Sequence, residues 1–299
     1  MKSKKRRGVD YRSTEKDYGI ERLGTANMNV LYKYCDQLGI VKILGSLELK
    51  LPRISEVNDP LECSPFHYCP KDKSAMKEQW LRTINRNHIS PPVNWEQKID
   101  EQFETGEFKR IFIQDLQKRL SAWKQKNFLL SVSQEARNTV MWAHYADKHK
   151  GAVIGIDFDS VFSQYGIKMH CVGYSGQRPK INILDDFEST EFKEKLSKIL
   201  ETKSVDWSYE KEFRNIFDDA SLMDLEQQGL ACLRKFNGKE TWFLRLKPES
   251  IREIIFGLYT EESLRLAIRK LIARPELRHV KLYQAEESET YTLNLKELA

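Results

Sequence analysis

The segment 209–214, with the sequence YEKEFR, carries two carboxylates two residues apart. Side chains on a β-strand alternate between its faces, so Glu210, Glu212 and Arg214 are expected on one face and Phe213 on the other. Neighbouring carboxylates on the open side of a strand can divide acid and base work, or stabilise a developing positive charge. The alternative is a solvated face with a local ion pair, which contributes about 0–1 kcal/mol.

A second candidate is Ser131-Val132-Ser133, at the end of a strand that the alternation of apolar residues predicts over 128–133. Two hydroxyls on one strand face can hydrogen-bond a carboxylate or a ligand amide. The alternative is a half-exposed strand whose last serine, Ser133, caps the following helix. That helix is predicted over 138–148 and contains two possible cleft residues, His144 and Tyr145.

Common metal and nucleotide motifs find little support in the sequence. His144 and His149 are five residues apart, and they would lie about 140° apart on a helix, whereas a metal pair needs i, i+4 spacing. Cys63, His67 and Cys69 are zinc-ligand types but lack the usual close cysteine spacing. The chain contains neither a dinucleotide fingerprint nor a phosphate-binding P-loop. We therefore expect no metal.

Composition restricts the class of protein. The 299 residues suffice for one large domain or two small ones. No apolar run approaches the about 20 residues that span a bilayer, and the basic start has no apolar stretch behind it, as a secretory signal would. Five cysteines, an odd number, indicate free thiols in a reducing cytosol. The expectation is a cytoplasmic protein without membrane contact.

The net charge of +5 equals the number of Lys and Arg residues between positions 2 and 7. The basic character is therefore confined to a tail, predicted over 1–28, and the rest of the chain is formally neutral. Such a tail favours contact with nucleic acid or an anionic surface. The alternative is a disordered, solvated terminus.

The remaining residues, 29–299, are expected to form a single α+β domain with mostly antiparallel strands and peripheral helices. Helical periodicity and charge predict a helical insertion at about 71–126, and a further charged helix over about 191–203. The other predicted elements are strands at 30–34, 47–51, 152–158, 241–246, 251–256, 280–284 and 290–295, and a helix over 261–273.

Several segments in combination resemble a bacterial family, the domain of unknown function numbered 2971. They are LYKY at 31–34, NDPLE at 58–62, MWAHYAD at 141–147, the stretch 203–207 and YEKEFR at 209–214. The resemblance covers about residues 29–295 and carries no established activity.

The order of elements also resembles, more distantly, that of ADP-ribosyltransferases, which cleave the nicotinamide–ribose bond of NAD and pass ADP-ribose to an acceptor. One large group of these enzymes has a basic residue on the first strand, Ser-x-Ser on a middle strand and Glu-x-Glu on a later strand. Lys33, Ser131-Val132-Ser133 and Glu210-Lys211-Glu212 follow in that order. The resemblance implies split β-sheets and NAD as the substrate.

The same resemblance implies a role for each matching position. Glu212 corresponds to the catalytic glutamate, Glu210 to the residue that assists the incoming nucleophile, and Ser131 to the serine that orients the glutamate. Lys33 would contact ribose or phosphate, although a lysine lacks the guanidinium fork of the usual arginine. The other residues expected to contact NAD are Tyr32, Ser133, His144 and Tyr145, the last by stacking on nicotinamide.

The expected function is transfer of ADP-ribose from NAD to a protein or nucleic-acid acceptor, in a toxin or phage-defence role. It requires that the three signatures line one cleft. One alternative is a metal-dependent nuclease that uses Asp157 and Asp159 with Glu210 and Glu212, while the tail supplies positive charge. Another is a non-catalytic interaction module, in which both glutamates would be exposed outside any cleft.

Overall fold

The computed structural model describes residues 30–298 except 87–89, 92, 188 and 237. The basic tail predicted over 1–28, and with it the expected nucleic-acid contact, lies outside the described residues. Within them, no helix is both long and apolar enough to cross a membrane.

Helices and strands alternate along the chain in the irregular order typical of an α+β fold. The strands are β1 Val30–Cys35, β2 Glu48–Leu51, β3 Phe66–Tyr68, β4 Asn127–Ser133, β5 Ala152–Asp157, β6 His170–Cys171, β7 Gly173–Ser175, β8 Lys180–Asn182, β9 Thr202–Ser204, β10 Glu212–Asp218, β11 Ala231–Phe236, β12 Lys239–Arg245, β13 Ile251–Phe256, β14 Lys281–Glu287 and β15 Leu293–Leu298. The helices are α1 Gln37–Ser46, α2 Lys73–Arg86, α3 Trp95–Glu104, α4 Glu107–Lys126, α5 Thr139–Tyr145, α6 Phe158–Phe162, α7 Thr190–Leu200, α8 Asp219–Gln227 and α9 Glu262–Ile272.

Eight strands form the main sheet, in the order β15-β14-β13-β5-β1-β4-β10-β6. Neighbours in this sheet are antiparallel except β13 and β14. A smaller antiparallel sheet has the order β11-β12-β2, and two short parallel pairs join β3 to β8 and β7 to β9. The predicted α+β class and mostly antiparallel pairing are confirmed.

Strand β5 shows why the main sheet is stable. All six of its residues are buried, because β1 and β13 flank it and helices cover both faces. Ile154 and Ile156 pack in one apolar cluster, which also contains buried residues of α1 and α9, whereas Val153 packs with Trp142 of α5 in another. An uninterrupted apolar run is the expected sequence of such a strand.

The helical insertion predicted at about 71–126 corresponds to α2, α3 and α4. Met76, Ile99 and Phe108, one residue from each helix, are buried together in a small apolar cluster. This cluster explains the helical spacing of apolar residues in an otherwise charged segment.

Two predicted helix ends are wrong. The helix predicted to reach residue 148 ends at Tyr145, because Asp147, Lys148 and His149 adopt φ angles of 47°, 52° and 69°. These left-handed conformations cannot continue a right-handed helix. The charged helix predicted over 191–203 ends at Leu200, and Lys203 instead lies in β9.

Candidate active site

Three neighbouring strands of the main sheet carry the three sequence signatures. Strand β1 carries Lys33, β4 carries the two serines and β10 begins at Glu212. The register pairs Tyr32 with Ser133, and Ser133 with Glu212, across adjacent strands. Two residues further along the same two strands, Arg214 pairs with Ser131. Antiparallel pairing thus places residues from distant parts of the sequence side by side.

The Glu210–Glu212 segment departs from the predicted strand. Residues Val205–Glu210 form a 3₁₀ helix, Lys211 follows with a left-handed φ of 43°, and β10 starts only at Glu212. The strand predicted from Tyr209 is therefore wrong in its first three residues. The turn at Lys211 still directs both carboxylates towards one lysine ammonium, that of Lys203.

These residues line a cleft of about 220 Å³. Seven of the eight predicted site residues line it, namely Tyr32, Lys33, Ser131, Ser133, Tyr145, Glu210 and Glu212. His144 is the exception, because its exposed ring lies outside the cleft, 6.5 Å from the ring of Trp207 and 6.2 Å from that of Tyr209. The interaction-module alternative predicted that Glu210 and Glu212 are exposed outside any cleft. Both side chains are buried and line the cleft, so that prediction is wrong.

Glu212 has a complete set of hydrogen-bond partners. Its Oε1 accepts from the Ser131 hydroxyl at 2.6 Å and from Arg214 Nε at 3.0 Å. Its Oε2 accepts from a terminal nitrogen of Arg214 at 2.7 Å and from Lys203 Nζ at 3.1 Å. A carboxylate offers about four lone-pair sites, so none is left for a ligand in this arrangement.

Glu210 is less constrained. Its two oxygens accept from the Tyr145 hydroxyl at 2.7 Å and from Lys203 Nζ at 2.5 Å. The Ser133 hydroxyl donates to the backbone carbonyl of Glu210 at 2.6 Å, which fixes the end of the 3₁₀ helix. The helix-capping alternative for Ser133 is wrong, since the side chain of Asn138 caps α5.

A buried ion-pair network surrounds the two glutamates. Lys203 Nζ also lies 3.5 Å from Glu62, and Arg214 contacts the other oxygen of Glu62 at 2.6 Å. Glu62, Arg214, Glu212 and Lys203 therefore form a closed ring, to which Glu210 is attached through Lys203. All five side chains are buried. We call these five residues the glutamate network.

Sequence reasoning did not assign a function to Glu62 or Lys203. Both occur in segments of the family resemblance, but no motif indicated that they would meet. Arg214 was expected only as a local partner, and it does bind Glu212 two residues away. Its second partner, Glu62, is 152 residues distant in sequence. Only the folded structure brings these groups together.

The network gives the two glutamates different acidities. Burial alone would raise the pKa of Glu212, but Arg214 and Lys203 outweigh it and lower that pKa to about 2. Burial also raises the pKa of Glu210, and there Lys203 and the Tyr145 hydroxyl offset the effect only in part. Glu212 is consequently held ionised, while Glu210 is the carboxylate more ready to take a proton.

The pKa values of the two lysines at the cleft, Lys203 and Lys33, shift in opposite directions. Burial disfavours the charged form of Lys203, but Glu212, Glu62 and Glu210 outweigh this effect and raise the pKa of Lys203. Lys33 is half-buried and donates a hydrogen bond to the backbone carbonyl of Ser131 at 2.8 Å. Burial lowers the pKa of Lys33.

The carboxylates expected in a nuclease do not gather in this cleft. Asp157 pairs with Arg252 at 2.9 Å and does not line the cleft, and neither does Asp159. Glu210 and Glu212 are occupied by protein cations that a metal ion would have to displace. Across the described part of the chain, no group of three or more His, Cys, Asp or Glu side chains is arranged to hold a metal ion.

Residues 141–215 match the family model DUF2971, described as a protein of unknown function. The match supports the predicted family resemblance over this segment. It runs from α5 into β10 and includes Tyr145, Lys203, Glu210, Glu212 and Arg214. No significant match was found among curated proteins or among solved structures.

Proposed function

We propose that this protein cleaves the nicotinamide–ribose bond of NAD and transfers ADP-ribose to an acceptor. The observation that supports the proposal is the convergence of Lys33, Ser131 and Glu212, from three neighbouring strands, on one cleft that also holds Glu210. These are the positions to which the distant resemblance assigns NAD binding and catalysis.

The charge of the glutamate network suits the bond-breaking step. When the bond between ribose C1′ and the nicotinamide nitrogen breaks, its electron pair leaves with nicotinamide and positive charge develops on the ribose, as in glycoside cleavage. With Glu210 ionised, the three carboxylates of the network face its two cations, which leaves one excess negative charge. Lys33 lines the same cleft and offsets this charge only while it is protonated, and burial lowers its pKa. A fixed negative charge there stabilises the developing cation.

Glu210 suits the transfer step. The acceptor's oxygen or nitrogen forms a new bond to C1′, and its proton must pass to a base. Glu210 lines the cleft, and burial raises its pKa, which makes its carboxylate a better proton acceptor. Glu212, with its lone pairs occupied and its pKa lowered, serves instead as a fixed charge. We therefore give Glu210 the proton-transfer role and Glu212 the electrostatic one.

Release of nicotinamide from NAD, followed by chromatography, tests this function on the purified chain. Glu210→Gln removes the base while keeping a similar shape, and we expect it to slow release or transfer by roughly 10²–10⁴-fold. Glu249→Gln is the matched control, because Glu249 is exposed and remote from the cleft lining. Cell extract is added as a source of acceptors, since water alone can be a poor one.

The outcome that contradicts the proposal is equally specific. If the wild-type protein releases no nicotinamide with or without extract, the proposed reaction is wrong. If Glu210→Gln and Glu249→Gln behave alike, the proton-transfer role given to Glu210 is wrong. Circular dichroism of each variant establishes that the comparison is made between folded proteins.

A further inference from the structure

A second cavity, of about 270 Å³, adjoins the cleft. The two spaces share Glu62 and Lys203 as lining residues. The second cavity lies between the loop that carries Glu62 and the segment that follows β7. Its lining includes Ser175, Arg178 and Ser204.

The size of the cleft indicates that a dinucleotide needs this additional space. Typical small-molecule pockets measure roughly 300–1,000 Å³, whereas the cleft measures about 220 Å³. The nicotinamide–ribose end alone can be enclosed there. The diphosphate and the adenosine must extend beyond it, and the second cavity is the neighbouring recess with shared walls.

Arg178 is the residue that makes this cavity suitable for phosphate. Its guanidinium is exposed and lies 5.7 Å from the centre of the Phe66 ring. It forms no ion pair with any carboxylate of the described residues. A guanidinium can donate two parallel hydrogen bonds to two phosphate oxygens at once. The neighbouring aromatic ring attracts the guanidinium through its π face, which leaves the N–H donors available for phosphate.

Lys33, by contrast, is poorly placed to hold phosphate. Its ammonium donates to the Ser131 carbonyl, and burial lowers its pKa. The resemblance implies that the basic residue on the first strand contacts ribose or phosphate. The Lys33 ammonium, however, already uses one of its donors on a backbone carbonyl. A different cation is therefore needed for the diphosphate, and Arg178 has no ion-pair partner in the part of the chain that the structure describes.

The two carboxylates that also line the second cavity do not exclude an anion. Glu62 is paired with Lys203 and Arg214. Asp59 accepts a hydrogen bond from the backbone N–H of Leu61 at 2.8 Å. The hydroxyl of Ser175 accepts from the backbone N–H of Gln177 at 3.0 Å, so its own O–H can donate to a phosphate oxygen, whereas the hydroxyl of Ser204 already donates to Asp206 at 3.0 Å.

We infer that Arg178, with the hydroxyl of Ser175, binds the diphosphate of the dinucleotide whose nicotinamide end occupies the cleft. This inference rests on the proposed function for the identity of the ligand. It assigns the second cavity to the nucleotide diphosphate.

Isothermal titration of the full chain with ADP tests the assignment without requiring catalysis. We expect Arg178→Gln to weaken ADP binding at least tenfold, and Arg178→Lys to weaken it less, because the ammonium keeps the charge but not the fork. Arg269→Gln removes the same charge from an exposed position on α9 and should leave the affinity unchanged.

The assignment is overturned if the wild-type protein does not bind ADP, or if Arg178→Gln binds it as tightly as the wild type. Nicotinamide release, measured on the same samples, separates this result from the fate of the proposed reaction. Arg178-dependent ADP binding without release supports the cavity and contradicts the reaction. Release with ADP affinity unaffected by Arg178→Gln supports the reaction and contradicts the cavity.

Discussion

At the scale of single residues, Lys203 decides whether the carboxylates of the cleft can stay buried together. Its ammonium lies 2.5 Å from Glu210, 3.1 Å from Glu212 and 3.5 Å from Glu62. Arg214 also binds two of these carboxylates, but Glu210 has no second cation partner within the described residues. The ionised state of Glu210 therefore depends on Lys203 more than on any other side chain.

Replacing Lys203 by methionine should destabilise the protein strongly. The variant has a similar volume but leaves buried carboxylates without a cation, and breaking a buried pair in this way costs about 3–5 kcal/mol. Urea unfolding measures the loss in the free energy of unfolding. Lys211→Met is the matched control, because Lys211 pairs with Glu135 at 3.3 Å with an exposed ammonium, and should cost less than about 1 kcal/mol.

A double variant identifies the cause of that loss. Adding Glu210→Gln to Lys203→Met removes one of the unpaired buried charges, so we expect part of the lost stability to return. Equal stability of the single and double variants would mean that the loss comes from packing and not from charge.

At the scale of elements, the turn at Lys211 makes the two glutamates converge. Alternate residues of a regular strand lie about 7 Å apart. The left-handed residue between Glu210 and Glu212 instead brings both carboxylates within 3.1 Å of one nitrogen. The sequence correctly predicted that the two carboxylates lie on the same side, but for the wrong structural reason.

The error had a physical cause. The aromatic and β-forming residues around Glu210 fit a strand, and left-handed positions are usually marked by glycine or asparagine. Lysine gives no such signal at position 211. The positions of Ser131 and Ser133, by contrast, were predictable from the sequence. They lie in a run whose alternating apolar residues predict a strand, and that strand is β4.

A β-branched residue at position 211 should therefore destabilise the turn. Left-handed backbone costs an L-residue about 1–2 kcal/mol, and branching at Cβ increases the strain. We expect Lys211→Val to be less stable than Lys211→Gly by about that amount in urea unfolding. Both variants lose the ion pair with Glu135, so their comparison isolates the backbone, and equal stabilities would contradict a left-handed turn here.

At the scale of the whole molecule, the order of strands in the main sheet assembles the cleft. Strand β1 lies between β5 and β4, although nearly a hundred residues separate it from β4, and Lys33 contacts Ser131 across this pair. The sequence pattern predicted most of these strands one by one. It could not predict their order, because pairing between distant strands is decided by contacts over the whole fold.

The glutamate network should also govern the acid stability of the whole fold. The pKa of Glu212 falls from its usual 4.5 to about 2 on folding, so its contribution to stability is present above pH 4.5 and is lost as the pH falls from there towards 2. Glu210 acts in the opposite direction. Its raised pKa gives a contribution that is present at low pH and is lost as the pH rises through that pKa.

Urea unfolding over a series of acid pH values distinguishes the two glutamates. The wild-type free energy of unfolding should decrease below pH 4.5, and Glu212→Gln should flatten that decrease, because glutamine binds no proton, even though the variant is less stable at neutral pH. Glu210→Gln should keep the decrease, and the exposed control Glu249→Gln should follow the wild type. An equal slope in Glu212→Gln and wild type would mean that Glu212 is not the ionised centre of the network, and the electrostatic role given to it in bond cleavage would then be wrong as well.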